Sequence, residues 1–139
     1  MYTQERAEWW AGRSNSKGHQ EAYDTIAALV PSIPQGVYMD VACGSGNILT
    51  RLQSRGSYRL LIGTDSLDAM LLQTKDRLTK LGARVSLNGH GNLPDRGIVL
   101  IKDNILDSRL SQEIADVVLF SFPEIGKSYP NDALNKKLS

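Results

Sequence analysis

Residues 37–46 read VYMDVACGSG, and residues 47–52 continue as NILTRL. A short apolar run ends in an acid, passes through small residues, and enters helical spacing at Ile48, Leu49 and Leu52 without a break. A strand that feeds a helix through so tight and small a turn is the first half of a βα unit. Such a unit is stable only where the strand is buried in a sheet and the helix lies on its face. This stretch therefore predicts a parallel sheet covered by helices.

The remainder of the chain alternates in the same way. HQEAYDTIAALV, residues 19–30, spaces Tyr23, Ile26 and Val30 as one helix face, and Pro31 and Pro34 close it. Gly56 stands where the helix after residue 46 needs a C-terminal cap. YRLLIGTD, residues 58–65, is a second apolar strand ending in an acid. Residues 66–82 form the clearest helix, with Ser66 as N-cap, Asp68 in the first turn and Gly82 at the end. Leu67, Met70, Leu71, Leu78 and Leu81 make its apolar face. RVSLNGHGNLPDRG, residues 84–97, is a polar interruption, expected as a small hairpin around Asn88 and Gly89 at the amino-terminal edge of the sheet, with His90 far from the glycine turn. IVLIKDN (98–104) and ADVVLFSF (115–122) are the third and fourth strands.

The pattern predicts an α/β, Rossmann-like three-layer sandwich with a mainly parallel sheet. Right-handed crossovers give the strand order 3-2-1-4, counting these four along the chain. Its 139 residues suit a single domain, with residues 1–18 as an extension or lid and 123–139 as a tail. Trp9 and Trp10 fall in that extension, as lid or as ordinary packing.

Charge excludes some partners. The net charge is +1, and the 16 basic residues are scattered, which gives no footprint for nucleic acid or an anionic membrane. No window is long and apolar enough to be a membrane span. The amino terminus lacks the apolar core of a signal peptide. One cysteine cannot form an internal disulfide, and no cluster has metal-ligand spacing, so a reducing cytoplasm and no metal are expected. His19 and His90 have no Cys, Ser or acid partner suggested by spacing.

In parallel sheets a ligand lies beyond the carboxyl ends of the strands, where the strand order reverses. The turn at 41–46 must leave room there, and Gly44 and Gly46 suit it because a β-carbon would clash or strain the backbone. A dinucleotide site needs G-x-G-x-x-G. Starting at Gly44 puts Leu49 at the third glycine; starting at Ala42 puts Asn47 there. That fingerprint fails, and a diphosphate would also be repelled by Asp40. A ligand with a cationic end fits better.

MDVACGSGNIL resembles motif I of the class I S-adenosylmethionine-dependent methyltransferases, an acid followed by x-G-x-G-x-G, with Ala42 in place of the first glycine. The resemblance implies that Asp40 holds the amino end of S-adenosylmethionine and that Ala42, Cys43, Gly44, Ser45 and Gly46 border it. LLIGTDSLDAML is similar to the second motif. It implies that Asp65, 19 residues beyond Gly46 and followed by Ser66, holds the ribose hydroxyls. LIKDNIL is similar to the third, with Asp103 accepting from the adenine amino group and Asn104 offering its N–H. ADVVLFSFPE is similar to the fourth strand, whose end, at Ser121, runs under the transferable methyl. The resemblance covers roughly residues 20–125.

Each acid also has an ordinary structural role open to it: Asp65 can cap the next helix, and Asp103 can belong to a turn. Cys43 fits a small buried position. The resemblance names no catalytic base. After strand four this chain has SFPE, where Ser121 and Pro123 match the [N/S/D]-P-P-[Y/F/W] motif of amide and base N-methylating enzymes and Phe122 and Glu124 do not. The family sheet has seven strands, ordered 3-2-1-4-5-7-6, so this chain is expected to lack strands five to seven. A methyltransferase acting on an unidentified acceptor, with a small molecule favoured, is the first expectation. A non-catalytic cofactor-binding module acting through a protein partner is the alternative. An oxidoreductase falls with the glycine fingerprint. Strand four should leave an open edge, inviting a homodimer or a protein partner.

Overall fold

The computed structural model describes residue 5 and residues 17–88, 92–104 and 114–120. The elements run α1 (Lys17–Leu29), β1 (Val37–Asp40), α2 (Asn47–Arg55), β2 (Leu60–Asp65), α3 (Asp68–Lys80), β3 (Val85–Asn88), β4 (Gly97–Lys102) and β5 (Val117–Leu119). All strand pairs are parallel, in the order β3-β4-β2-β1-β5. The third and fourth strands of the sequence analysis are β4 and β5, so their order, 3-2-1-4, is the one expected.

Alternation within the strands separates two buried faces. Tyr38, Leu61, Ile98 and Leu100 point to one face, where Tyr23 of α1, Ile48, Leu49 and Leu52 of α2, and Leu71 and Leu78 of α3 pack on them. Val37, Met39, Leu60, Ile62, Val99 and Ile101 point to the other, with Leu93 and Ala115 against them. Burial on both faces is why these strands are apolar throughout rather than alternating. All three described helices pack on the first face, and among the described residues no helix covers the second.

Gly63 sets the spacing of the helix layer. A β-carbon on it would lie 2.5 Å from Leu49 Cδ1 and 2.8 Å from Leu100 Cδ2, so only glycine lets α2 close onto β2. Side chains fix the connections. Arg55 of α2 donates to the carbonyls of Ala27, Val30 and Pro31 at 3.2, 2.8 and 3.3 Å, satisfying the end of α1. The Tyr38 hydroxyl donates to Pro31 O at 2.9 Å and accepts from Ile33 N at 2.7 Å, which pins the loop into β1. At the start of β5, Asp116 accepts from Val37 N at 2.8 Å and donates its own N–H to Val37 O at 2.8 Å.

Four local expectations are corrected. Residues 85–88 are an edge strand parallel to β4, not half of a hairpin. Asn88 is paired level with Ile101, so the segment runs the height of the sheet and reaches its carboxyl edge rather than staying at the amino edge. His90 and Gly89 lie outside the described residues. The N-cap of α3 is Leu67, not Ser66, and no side chain of its own caps it. Leu81, expected on the buried face of α3, is 52% exposed, and Thr74, which was not expected there, is 0% exposed. β5 pairs only with β1 among the described residues; Trp9, Trp10, Ser121, Phe122 and the tail 123–139 lie outside them.

Candidate cofactor site

The turn after β1 carries three residues in the left-handed region, Ala42 at φ 56°, Gly44 at 58° and Gly46 at 85°. A β-carbon on Gly46 would sit 2.7 Å from Thr74 Cγ2, so this position needs glycine for space as well as for conformation. At Gly44 the added carbon would meet nothing within 4 Å, and the backbone angle alone favours glycine.

The end of β2 holds this turn in place. Val41 N–H first bonds Leu119 O of β5 at 2.9 Å, and Cys43 N–H bonds Thr64 O at 2.8 Å. Ala42 N–H reaches Thr64 Oγ1 at 3.4 Å, and Gly44 N–H donates to Asp65 Oδ2 at 3.0 Å. The other carboxylate oxygen, Asp65 Oδ1, accepts Leu67 N–H at 3.0 Å and so starts α3 in place of a cap. Helix α3 grips the outer side of the turn. Thr74 Oγ1 donates to Gly44 O at 2.7 Å, and Arg77 Nη1 donates to Ser45 O at 2.9 Å. Arg77 Nη1 also donates to Asn47 Oδ1 at 3.1 Å, and Asn47 Nδ2 donates to Ser45 Oγ at 3.4 Å.

Among the residues singled out from sequence, the structure brings most to one edge. Asp40 ends β1 and is 1% exposed; Asp65 ends β2 and is 8% exposed. Asp103 follows β4, and its N–H donates to Asp65 O at 3.0 Å. Ser66 and Asn104 are exposed beside them. Lys102 Nζ bonds Asp68 Oδ2 at 3.1 Å at the same edge. Ser121 lies outside the described residues. Sequence reasoning missed Thr64, Thr74, Asn47 and Arg77. For Thr74 a signal existed: a polar residue at helical spacing between Leu71 and Leu78.

The electrostatics separate the groups. Burial pushes the Asp65 carboxyl up from its ordinary value, and the N–H groups of Gly44, Leu67 and Ser66 partly offset this. Burial, then the charges of Asp40 and Asp65, push the Cys43 thiol well up, which keeps it protonated and unsuited to nucleophilic work.

No protein-family model matches the sequence, and no curated protein matches it. Solved structures do. DesVI of Streptomyces venezuelae superimposes with a TM-score of 0.56 at 20% identity, covering 91% of this chain and 46% of that one. The phosphoethanolamine N-methyltransferase 1 of Haemonchus contortus, in complex with phosphoethanolamine and S-adenosylhomocysteine, superimposes with a TM-score of 0.53 at 16% identity. It covers 84% of this chain and 26% of that one. Both are class I S-adenosylmethionine-dependent methyltransferases. This chain has their fold.

The chain spans less than half the length of either structure. Within the methyltransferase fold, the glycine turn sits between β1 and its two neighbours, β2 and β5, where the order of strands reverses. β3 is the one departure in detail from the strand order expected of this chain. Among the described residues no helix is long and apolar enough to cross a membrane, and no group of three or more His, Cys, Asp or Glu could hold a metal.

Proposed function

We propose that this chain is the cofactor-binding part of an S-adenosylmethionine-dependent methyltransferase. The observation that carries the proposal is the Gly44 N–H to Asp65 Oδ2 bond at 3.0 Å. It ties the glycine turn to the strand-end acid, so one ligand can span both. The donor set suits this cofactor. Asp40 offers negative charge to a cationic amino end, open space lies beside Gly44, and the Asp65 oxygens, which accept the N–H groups of Gly44 and Leu67, keep capacity for a ribose hydroxyl. Ala42, Cys43, Ser45 and Gly46 would shape the turn around the amino end. Ser66, Asp103 and Asn104 would border the ribose and adenine, with Ser121 near the methyl group.

When bound, the cofactor supplies a sulfonium methyl group for transfer to an acceptor nucleophile. The chain's own residues bind and orient it; the rate gain comes from holding reactants aligned and dry. No described residue stands out as a general base. The acceptor we propose is a small molecule, because scattered charge offers a polyanion no continuous track, and the compartment a reducing cytoplasm, because Cys43 is the only cysteine.

Calorimetry with S-adenosylhomocysteine and with NAD tests the cofactor. Binding of the first and not the second is expected; the reverse, or binding of neither, sinks the proposal. Methyl transfer from labelled S-adenosylmethionine to a panel of small-molecule acceptors then separates an enzyme from a binding module.

A further inference from the structure

Helices α1, α2 and α3 border a groove of about 500 Å³ that the cofactor proposal does not use. Gln20, Thr50, Arg51, Ser54, Arg77 and Lys80 line it. Two of its cations have exposed carboxylate partners: Arg51 Nε bonds Asp24 at 2.7 Å, and Lys80 bonds Asp76 at 2.9 Å. Exposed pairs of this kind are weak and open to exchange.

Arg77 differs. Its Nη1 group is spent on Ser45 O and Asn47 Oδ1, and no carboxylate pairs with it among the described residues. Its Nε and Nη2 have no protein acceptor among the described residues. That leaves a planar two-donor edge of a half-buried guanidinium, the geometry a tetrahedral oxyanion takes bidentately. A second guanidinium stands close by, since Arg51 Nη1 donates to the carbonyl of the same Asn47 at 2.8 Å. Burial, and then repulsion from Arg51, push the Arg77 pKa down. Three cations stand against two exposed carboxylates, and the excess charge is concentrated at Arg77.

We propose that this groove binds a small phosphate-class oxyanion, with Arg77 as the bidentate ligand, Lys80 as the second cation and the Ser54 hydroxyl as a donor. Arg77 also holds Ser45 O, so the anion would sit behind the glycine turn and stiffen it from the side away from the ligand edge.

The test is an NMR titration of the whole chain with inorganic phosphate, with sodium chloride holding ionic strength constant. Saturable shifts centred on the amides of Ser54, Arg77 and Lys80 are expected. Affinity should fall about tenfold in Arg77→Gln, as a charge-assisted bidentate pair is lost. It should fall several-fold in Lys80→Gln, an exposed position whose variant should fold even if Arg77→Gln does not. A parallel arm with glycerol phosphate identifies the source: tighter binding there assigns a phosphomonoester, and equal binding the free ion. Shifts that never saturate, that chloride reproduces, that centre on Gly44 and Gly46, or that survive Lys80→Gln unchanged overturn the proposal.

Discussion

β1 and β2 lie side by side, run parallel, are buried along their whole length and end in an aspartate. Their exits differ. β1 leads into a turn with three left-handed residues before α2 begins at Asn47. β2 needs only Ser66 and Leu67 before α3 begins at Asp68. The difference lies in who supplies the hydrogen bonds. The turn after β1 has no capping side chain of its own and borrows Thr64 and Asp65 from β2, whereas the turn after β2 uses the Asp65 that precedes it. One acid therefore closes two turns, and a strand end that is locally complete props up one that is not.

The largest expected effect tests whether β2 is the fixed member of this pair. Gly63→Val should clash with Leu49 and Leu100, lifting α2 from the sheet and costing about 3 kcal/mol by overpacking. Urea unfolding measures it. A cost below about 1 kcal/mol would mean that α2, and the turn that delivers it, adapt more freely than the packing implies.

Asp65→Ala should come next, because it strips both turns at once. The N–H groups of Gly44 and Leu67 lose their acceptor, at about 1–3 kcal/mol of stability, and affinity for S-adenosylhomocysteine should fall by about 1–3 kcal/mol. The two readouts answer different questions. Lower stability with unchanged affinity in a folded variant would leave Asp65 as a clasp and remove it from the ligand site.

The same carboxyl gives a smaller, pH-dependent signature. Its folded pKa is raised from 3.8, so the folded state holds this proton more tightly than the unfolded chain. The group thus contributes stability that is fully present below 3.8 and is lost as pH rises through the raised folded value. Unfolding midpoints over that window should decline less steeply with pH in Asp65→Ala than in the parent. Ligand affinity should move the opposite way, improving as the carboxylate forms. Parallel pH profiles for the two proteins would expose a burial effect weaker than the geometry implies.

Legibility followed the chemistry of the partner. β1, β2 and β4 stood out because burial leaves almost no polar residue inside them, β5 because it is apolar along its length although Val118 is exposed, and the turn after β1 because Gly44 and Gly46 have few other uses. β3 did not: in VSLN, Leu87 is exposed and Ser86 and Asn88 are polar, as an edge strand tolerates. The grip of Thr74 and Arg77 was hidden for another reason. Their acceptors are the carbonyls of Gly44 and Ser45, a group every residue carries, so no residue type marked the far end of either bond. Ser66 was the natural cap by composition, yet the chain reaches its helix one residue later, with Asp65 already holding Leu67 N–H.

The smallest effect separates the two turns most cleanly. Ala42 is held at φ 56° where the family motif has glycine. A left-handed conformation costs an L-residue about 1–2 kcal/mol. Glycine removes that cost but adds back about 0.5–1 kcal/mol of unfolded-state freedom. Ala42→Gly should therefore stabilise the chain by about 0.5–1 kcal/mol, the balance of those two terms. No such remedy exists after β2, where Leu67 is extended at φ −114°. Because the Ala42 N–H keeps its bond to Thr64 Oγ1 in the glycine variant, S-adenosylhomocysteine affinity should stay within about twofold, well under the 1.4 kcal/mol of a tenfold change. A stability gain accompanied by a loss of affinity would reveal that the strain at Ala42 is used to hold the turn open for its ligand.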